Sequence, residues 1–128
     1  LTTATVTTGP DLPSKVDLGS GITVLFDQMS VGEDQAGPSS TEAVSAALAS
    51  CTAITLNVYA TRKGWDLAGL EVKVETEYEG PNPSLFKVAV AYPDHFDADQ
   101  LARLERIATR CPVHRLLTEE TAVEVHTA

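Results

Sequence analysis

Two cysteines, Cys51 and Cys111, are the residues of this 128-residue chain best suited to chemistry. A thiolate is a nucleophile, a metal ligand and a redox centre, whereas a neutral buried thiol is a small hydrophobe. The two lie too far apart in sequence for a CxxC redox pair or a compact zinc motif. Cys111 has the more activating local setting. Pro112 suits the first position of a helical turn, which makes Cys111 its N-cap, where unpaired N–H groups favour an anion. Arg110, His114 and Arg115 adjoin it in sequence. Cys51 has no base beside it, and core packing stands as its alternative role. A metal site would draw on Cys51, Cys111 and His114 with His95 or His126, but no tight ligand cluster supports one. Glu119-Glu120 reads as a charged turn rather than an acid/base pair. The row Glu71, Glu75, Glu77 and Glu79 reads as the solvated face of a strand.

The elements that must position these thiols follow from pattern. Cys51 sits in the only sustained apolar run, Gly37 to Trp65. It reads as one long helix that Ser39, Ser40 or Thr41 can cap and that Gly64 can end, with Arg62 and Lys63 suited to its C-terminal dipole. Apolar residues cover most of its circumference, and a helix apolar all round is buried all round. So small a chain can hardly wrap it, which calls for a second subunit. Ahead of it, Thr5–Thr7, Lys15–Leu18 and Ile22–Phe26 form an antiparallel meander, followed by a loop over Met29–Pro38. Behind it, Leu70 to Tyr78 alternates cleanly, Gly80-Pro81-Asn82-Pro83 turns the chain, and Leu85 to Tyr92 returns as the second arm of a hairpin. Asp97 with Gln100 opens a second helix through a capping box, and its stripe is Leu101, Leu104, Ile107 and Ala108. A last strand is expected over Ala122 to His126. The class is α+β, with antiparallel sheets packed around a long central helix, in one domain spanning residues 1–128.

Composition narrows the partners. The apolar share is 43% with 5% aromatics, so the core must be aliphatic. A net charge of −9 argues against nucleic acid and anionic membrane surfaces. Ser and Thr interrupt the long helix, and no segment is expected to cross a membrane. No secretion signal opens the chain, and two cysteines do not make a disulfide scaffold, so a cytoplasmic location is expected.

The motifs Gly37-Pro38, Glu42, Ala47-Leu48-Ala49-Ser50-Cys51-Thr52-Ala53, Tyr59-Ala60-x-Arg62-Lys63-Gly64 and Cys111-Pro112-Val113-His114-Arg115 resemble the OsmC/Ohr family. These are the osmotically inducible and organic hydroperoxide resistance proteins, and the shorter OsmC-like branch is the nearer. The resemblance runs from about Gly21 to the C-terminus. It implies an intertwined homodimer with each active site at the subunit interface. It also implies a thiol peroxidase without metal or organic cofactor. Cys51 would become a sulfenic acid on attacking an organic hydroperoxide, and Cys111 would resolve it to a disulfide. A small dithiol or a protein reductant would restore both. The family's peroxidases carry an arginine in the N-terminal half and a glutamate about three helical turns before the first cysteine. Here Lys15 is the only basic residue before Arg62, and Glu42 stands one place out of register, a turn of about 100°. The accessory candidates are therefore Glu42, Lys15, Arg110 and Arg115. The alternative function is a non-enzymatic OsmC-like module that binds a small apolar ligand at the dimer interface.

Overall fold

The computed structural model describes residues 1–9, 14–28 and 34–127. The part of the expected loop at Met29–Glu33 lies outside the described residues. The chain forms two compact units, Leu1–Val44 and Ser45–Ala128.

The first unit is an antiparallel meander, β1 (Ala4–Val6), β2 (Ser14–Leu18) and β3 (Thr23–Phe26), in that spatial order. Val16 faces Val24 across β2 and β3, which puts the expected apolar positions in register. Behind β3 the chain doubles back, and the Asp27 N–H donates to the Pro38 carbonyl at 3.0 Å. Gly37 is required there, because a side chain at this position would run into the Leu25 carbonyl. The unit closes on the first turn of helix α1 (Ser40–Lys63). Ser39 Oγ accepts from the Glu42 N–H at 3.0 Å, and Glu42 Oε1 accepts from the Ser39 N–H at 3.0 Å. This is a reciprocal capping box, with Ser39 itself buried.

In the second unit α1 buries Leu48, Thr52, Leu56 and Ala60. They recur every four residues, so within one chain they form a single buried stripe. Ile54 and Val58 stay exposed at 61% and 46%, so the chain by itself leaves much of the helix's apolar surface uncovered, as expected for so small a chain. One expectation changes. Helix α1 is long and apolar enough to cross a membrane by length and composition. Ser and Thr lower the hydropathy too little to rule this out. Leu56 and Ala60 of its buried stripe, however, belong to the core of this unit.

Strands β4 (Glu71–Glu79) and β5 (Asn82–Ala91) pair antiparallel as the expected hairpin. Val72, Val74 and Thr76 are half-buried, and the intervening Glu71, Lys73 and Glu75 are exposed. A register shift between Glu77 and Tyr78 ends the alternation, which leaves Tyr78 exposed despite its expected inward place. Pro83, expected in the turn, already lies in β5. Helix α2 (Ala98–Ala108) starts at the Asp97–Gln100 capping box, with both reciprocal bonds formed. Leu56, Ala60, Leu67, Phe96 and Leu104 make the core, with Val90 and Tyr92 packed against it from the hairpin. Helix α3 (Pro112–Thr118) follows with Cys111 as its N-cap. Residues 120–127 form no strand: among the described residues nothing pairs with them, and Val123 and Val125 are almost fully exposed. Alternation alone cannot make a strand where no edge receives it.

Candidate active site

The site is built where α1 meets the start of α3. Cys51 lies midway along α1, one position before the buried Thr52, so its sulfur is half-buried rather than sealed in the core. Cys111 is fully buried. Its sulfur accepts from the His114 N–H at 3.1 Å and is 3.8 Å from the Thr52 hydroxyl, which donates to it. The Val113 N–H, the Thr55 hydroxyl and the Cys111 thiol lie near enough to the Cys51 sulfur to act on its titration. Pro112 has no N–H, so in the first turn of α3 the His114 N–H binds Cys111 while the Val113 N–H acts on Cys51.

The electrostatics of Cys51 pull two ways. Burial pushes its pKa above the ordinary thiol value, and the Cys111 thiol adds to that rise. The Val113 N–H and the Thr55 hydroxyl oppose it, because both favour the thiolate. The net shift is upward, because burial outweighs the two groups that favour the thiolate.

Cys51 opens onto a groove of about 700 Å³. One wall is a stripe of α1 that includes Cys51, Thr55, Val58 and Arg62, and Ile107, Arg110 and Pro112 supply the other. The lining is mainly apolar, with the Arg62 and Arg110 guanidinium groups as its charges.

The accessory candidates separate. Arg110 lines this groove. Arg115 is exposed on α3 and is not among the lining residues. Lys15 is exposed on β2, in the N-terminal unit. Glu42 is occupied by the helix cap. Its carboxyl is held below the usual value first by the Ser39 N–H, then by the Gln35 side chain and the Ser39 hydroxyl. The Gln35 amide donates to it at 2.9 Å and to the Gly37 carbonyl at 2.8 Å. Of the histidines, His114 contributes its backbone N–H, His95 stacks against Phe96 at 4.3 Å, and His126 sits beside Glu124. Among the described residues no three His, Cys, Asp or Glu side chains cluster as a metal site would require.

Sequence pattern missed Thr52, Thr55, Arg62 and the Val113 N–H. Thr55 and Arg62 follow Cys51 at spacings that return to one helix face, so periodicity from Cys51 would have found them. The Val113 N–H carried no such signal, because it depends on how α3 meets α1.

The family model described as OsmC-like protein matches residues 32–126, which include both cysteines, the whole of α1 and α3. The chain belongs to this family. Solved structures share the fold. An OsmC-like protein from Mycoplasma pneumoniae is 15% identical with a TM-score of 0.77, the match covering 91% of this chain and 86% of that one. An organic hydroperoxide resistance protein OsmC from Legionella pneumophila is 17% identical with a TM-score of 0.61, covering 91% and 88%. The organic hydroperoxide resistance protein OhrB of Bacillus subtilis is 20% identical with a TM-score of 0.55, covering 89% of each chain. At these identities the likeness is one of fold. Comparison with curated protein sequences yields no match. The OsmC-like family thus has structural neighbours named for hydroperoxide resistance, and its α+β fold is the one seen here.

Proposed function

We propose that this OsmC-like protein is a cysteine-based thiol peroxidase that reduces organic hydroperoxides. The observation that carries the proposal is the unequal placement of two adjacent sulfurs: Cys51 faces the groove, and Cys111 is sealed behind it. A hydroperoxide reaches Cys51 first. The Cys51 thiolate attacks the terminal oxygen of R–O–O–H, the O–O bond breaks, and the leaving alkoxide takes a proton to become an alcohol. Cys51 is then a sulfenic acid. The Cys111 sulfur attacks it, water departs, and a disulfide joins the two. A small dithiol or a protein reductant opens that disulfide by thiol exchange, is itself oxidised, and restores both thiols. The apolar groove favours alkyl hydroperoxides over hydrogen peroxide, because burying the alkyl part is favourable.

The working unit in this proposal is a homodimer in the cytoplasm. Leu85 and Val88 of β5 and Leu116 and Leu117 of α3 are exposed at 38–51%, and a second apolar groove, which includes Leu48, lies among three of them. A second copy of the chain covering this face removes that surface from water.

Intact-mass measurement after one equivalent of tert-butyl hydroperoxide tests the chemistry. The expected product has lost two hydrogens and maps to a Cys51–Cys111 disulfide. Undiminished peroxide turnover by Cys51→Ser would sink the mechanism. The upward pKa shift of Cys51 and the apolar groove favour one second function, retention of an apolar ligand without peroxide chemistry. Thiols inert to peroxide, together with retained ligand, would support it.

A further inference from the structure

The peroxidase steps leave one buried polar side chain without a role. Helix α1 buries Leu48, Thr52, Leu56 and Ala60, and Thr52 is the polar member of that stripe. It is 2% exposed, and among the described residues it is the only buried polar side chain of the second unit. Taking a hydroxyl out of water costs stability that the methyl of a valine would not. The Thr52 hydroxyl donates to the Cys111 sulfur at 3.8 Å, and the His114 N–H donates to the same sulfur at 3.1 Å. Helices α1 and α3 thus each aim one donor at a fully buried thiol. Thr52 does not line the Cys51 groove, so its effect falls on the second sulfur.

We propose that Thr52 is a positioning residue for the second half of the reaction, in which its hydroxyl holds the Cys111 sulfur and stabilises it as it attacks the oxidised Cys51. In that step Cys111 gives up its thiol proton and its sulfur bonds to the Cys51 sulfur. The S–O bond of the sulfenic acid breaks, and the departing hydroxide takes a proton to become water. At 3.8 Å the hydroxyl does little for a neutral thiol. The bond shortens and strengthens as the sulfur takes on negative charge. An interaction stronger in the transition state than in the resting protein speeds the step. This inference rests on the peroxidase reading for its physiological target, the Cys51 sulfenic acid. The attack of Cys111 is the same in kind on any mixed disulfide at Cys51.

That likeness supplies the test, on the full chain with one equivalent of dithiodipyridine. Cys51 attacks the reagent, a Cys51–pyridyl disulfide forms, and one thiopyridone leaves. Cys111 then attacks the Cys51 sulfur, the protein disulfide forms, and a second thiopyridone leaves with the Cys111 proton. Absorbance of the released thiopyridone resolves the two steps. Thr52→Val keeps the side-chain shape and loses the hydroxyl, whereas Thr52→Ser keeps the hydroxyl and loses a methyl. The valine variant is expected to give the first release at the wild-type rate, which shows the fold intact, and the second about tenfold slower. The serine variant is expected to restore the second release. A side chain needed only for packing would give the opposite order. A second release as fast in the valine variant as in wild type overturns the inference, as does equal slowing in the serine variant or no second release from wild type. The reagent holds no peroxide, so equal rates in wild type and the valine variant overturn this inference alone, and failure of wild type to react with a hydroperoxide sinks the peroxidase reading alone.

Discussion

Cys111 accepts a hydrogen bond from the backbone N–H of His114 at 3.1 Å, so its sulfur caps the helix that follows it. The Val113 N–H, one residue earlier, favours the thiolate of Cys51, as does the Thr55 hydroxyl. Burial outweighs both at Cys51, which keeps its pKa above the ordinary thiol value.

Thiol reactivity at Cys51 is therefore expected to rise with pH above neutrality. Alkylation by iodoacetamide, followed by mass mapping, should climb through a midpoint above that of a free cysteine. The same shift has a stability consequence. A thiol whose folded pKa is raised contributes stability below the unfolded value, and that contribution is lost as pH rises through the folded pKa. Urea midpoints of wild type should fall over that alkaline window more than those of Cys51→Ser. A midpoint for alkylation below that of free cysteine would contradict the desolvated setting.

Cys111 combines two roles that substitution can separate. As the N-cap of α3 its sulfur accepts a backbone hydrogen bond, which a serine oxygen also does. Cys111→Ser should keep near-native stability, whereas Cys111→Ala should lose about 1 kcal/mol from the cap and more from the small cavity. Both should stop the reaction at the Cys51 sulfenic acid, trapped by dimedone. Equal stability of the two variants would mean that the cap contributes nothing.

Much of this fold was legible because its signals are local. Asp97 with Gln100 and Cys111 with Pro112 mark helix starts through residues only a few positions apart. The hairpin from Leu70 to Tyr92 follows from alternation and one turn, up to the irregularity at Tyr78 that no local pattern encodes. The residues of α1 are apolar on most faces, and the unit supplies neighbours for only one stripe, in keeping with a chain too small to wrap the helix. Val123 and Val125 alternate as a strand would, yet strand formation depends on a distant edge that sequence does not reveal. The pairing of Cys51 with Cys111 was implied by family resemblance. The groups that act on the two sulfurs emerge only when α1 and α3 are placed together.

Glu42 is expected to act on the helix rather than on the thiol. It completes the capping box with Ser39, and glutamine can do the same. Glu42→Gln should therefore leave the rate of Cys51 oxidation within about twofold of wild type, a shift of less than 0.5 kcal/mol in barrier. Ser39→Ala should cost about 1 kcal/mol in urea unfolding. The lowered pKa of Glu42 adds stability that is present above its unfolded value and lost as pH falls through the folded one. Acid sensitivity should thus weaken in Glu42→Gln. A large fall in oxidation rate for this variant would instead place the carboxylate in the chemistry.

The last prediction concerns the apolar face of β5 and α3. Val88 is 38% exposed and Leu117 39% exposed, and both line the groove beside Leu48. If a second copy covers this face, a charge placed there must be buried without a partner, which is costly. Sedimentation velocity of wild type should give a dimer, and Val88→Glu with Leu117→Glu should shift it to monomer. Both residues are partly exposed in the isolated chain, so the charges should be solvated there and the monomer should remain folded by circular dichroism. Ile54 lines the Cys51 groove, and Ile54→Glu should lose affinity for alkyl hydroperoxides. A wild-type monomer, or a dimer indifferent to both charges, would place the subunit contact elsewhere or remove it.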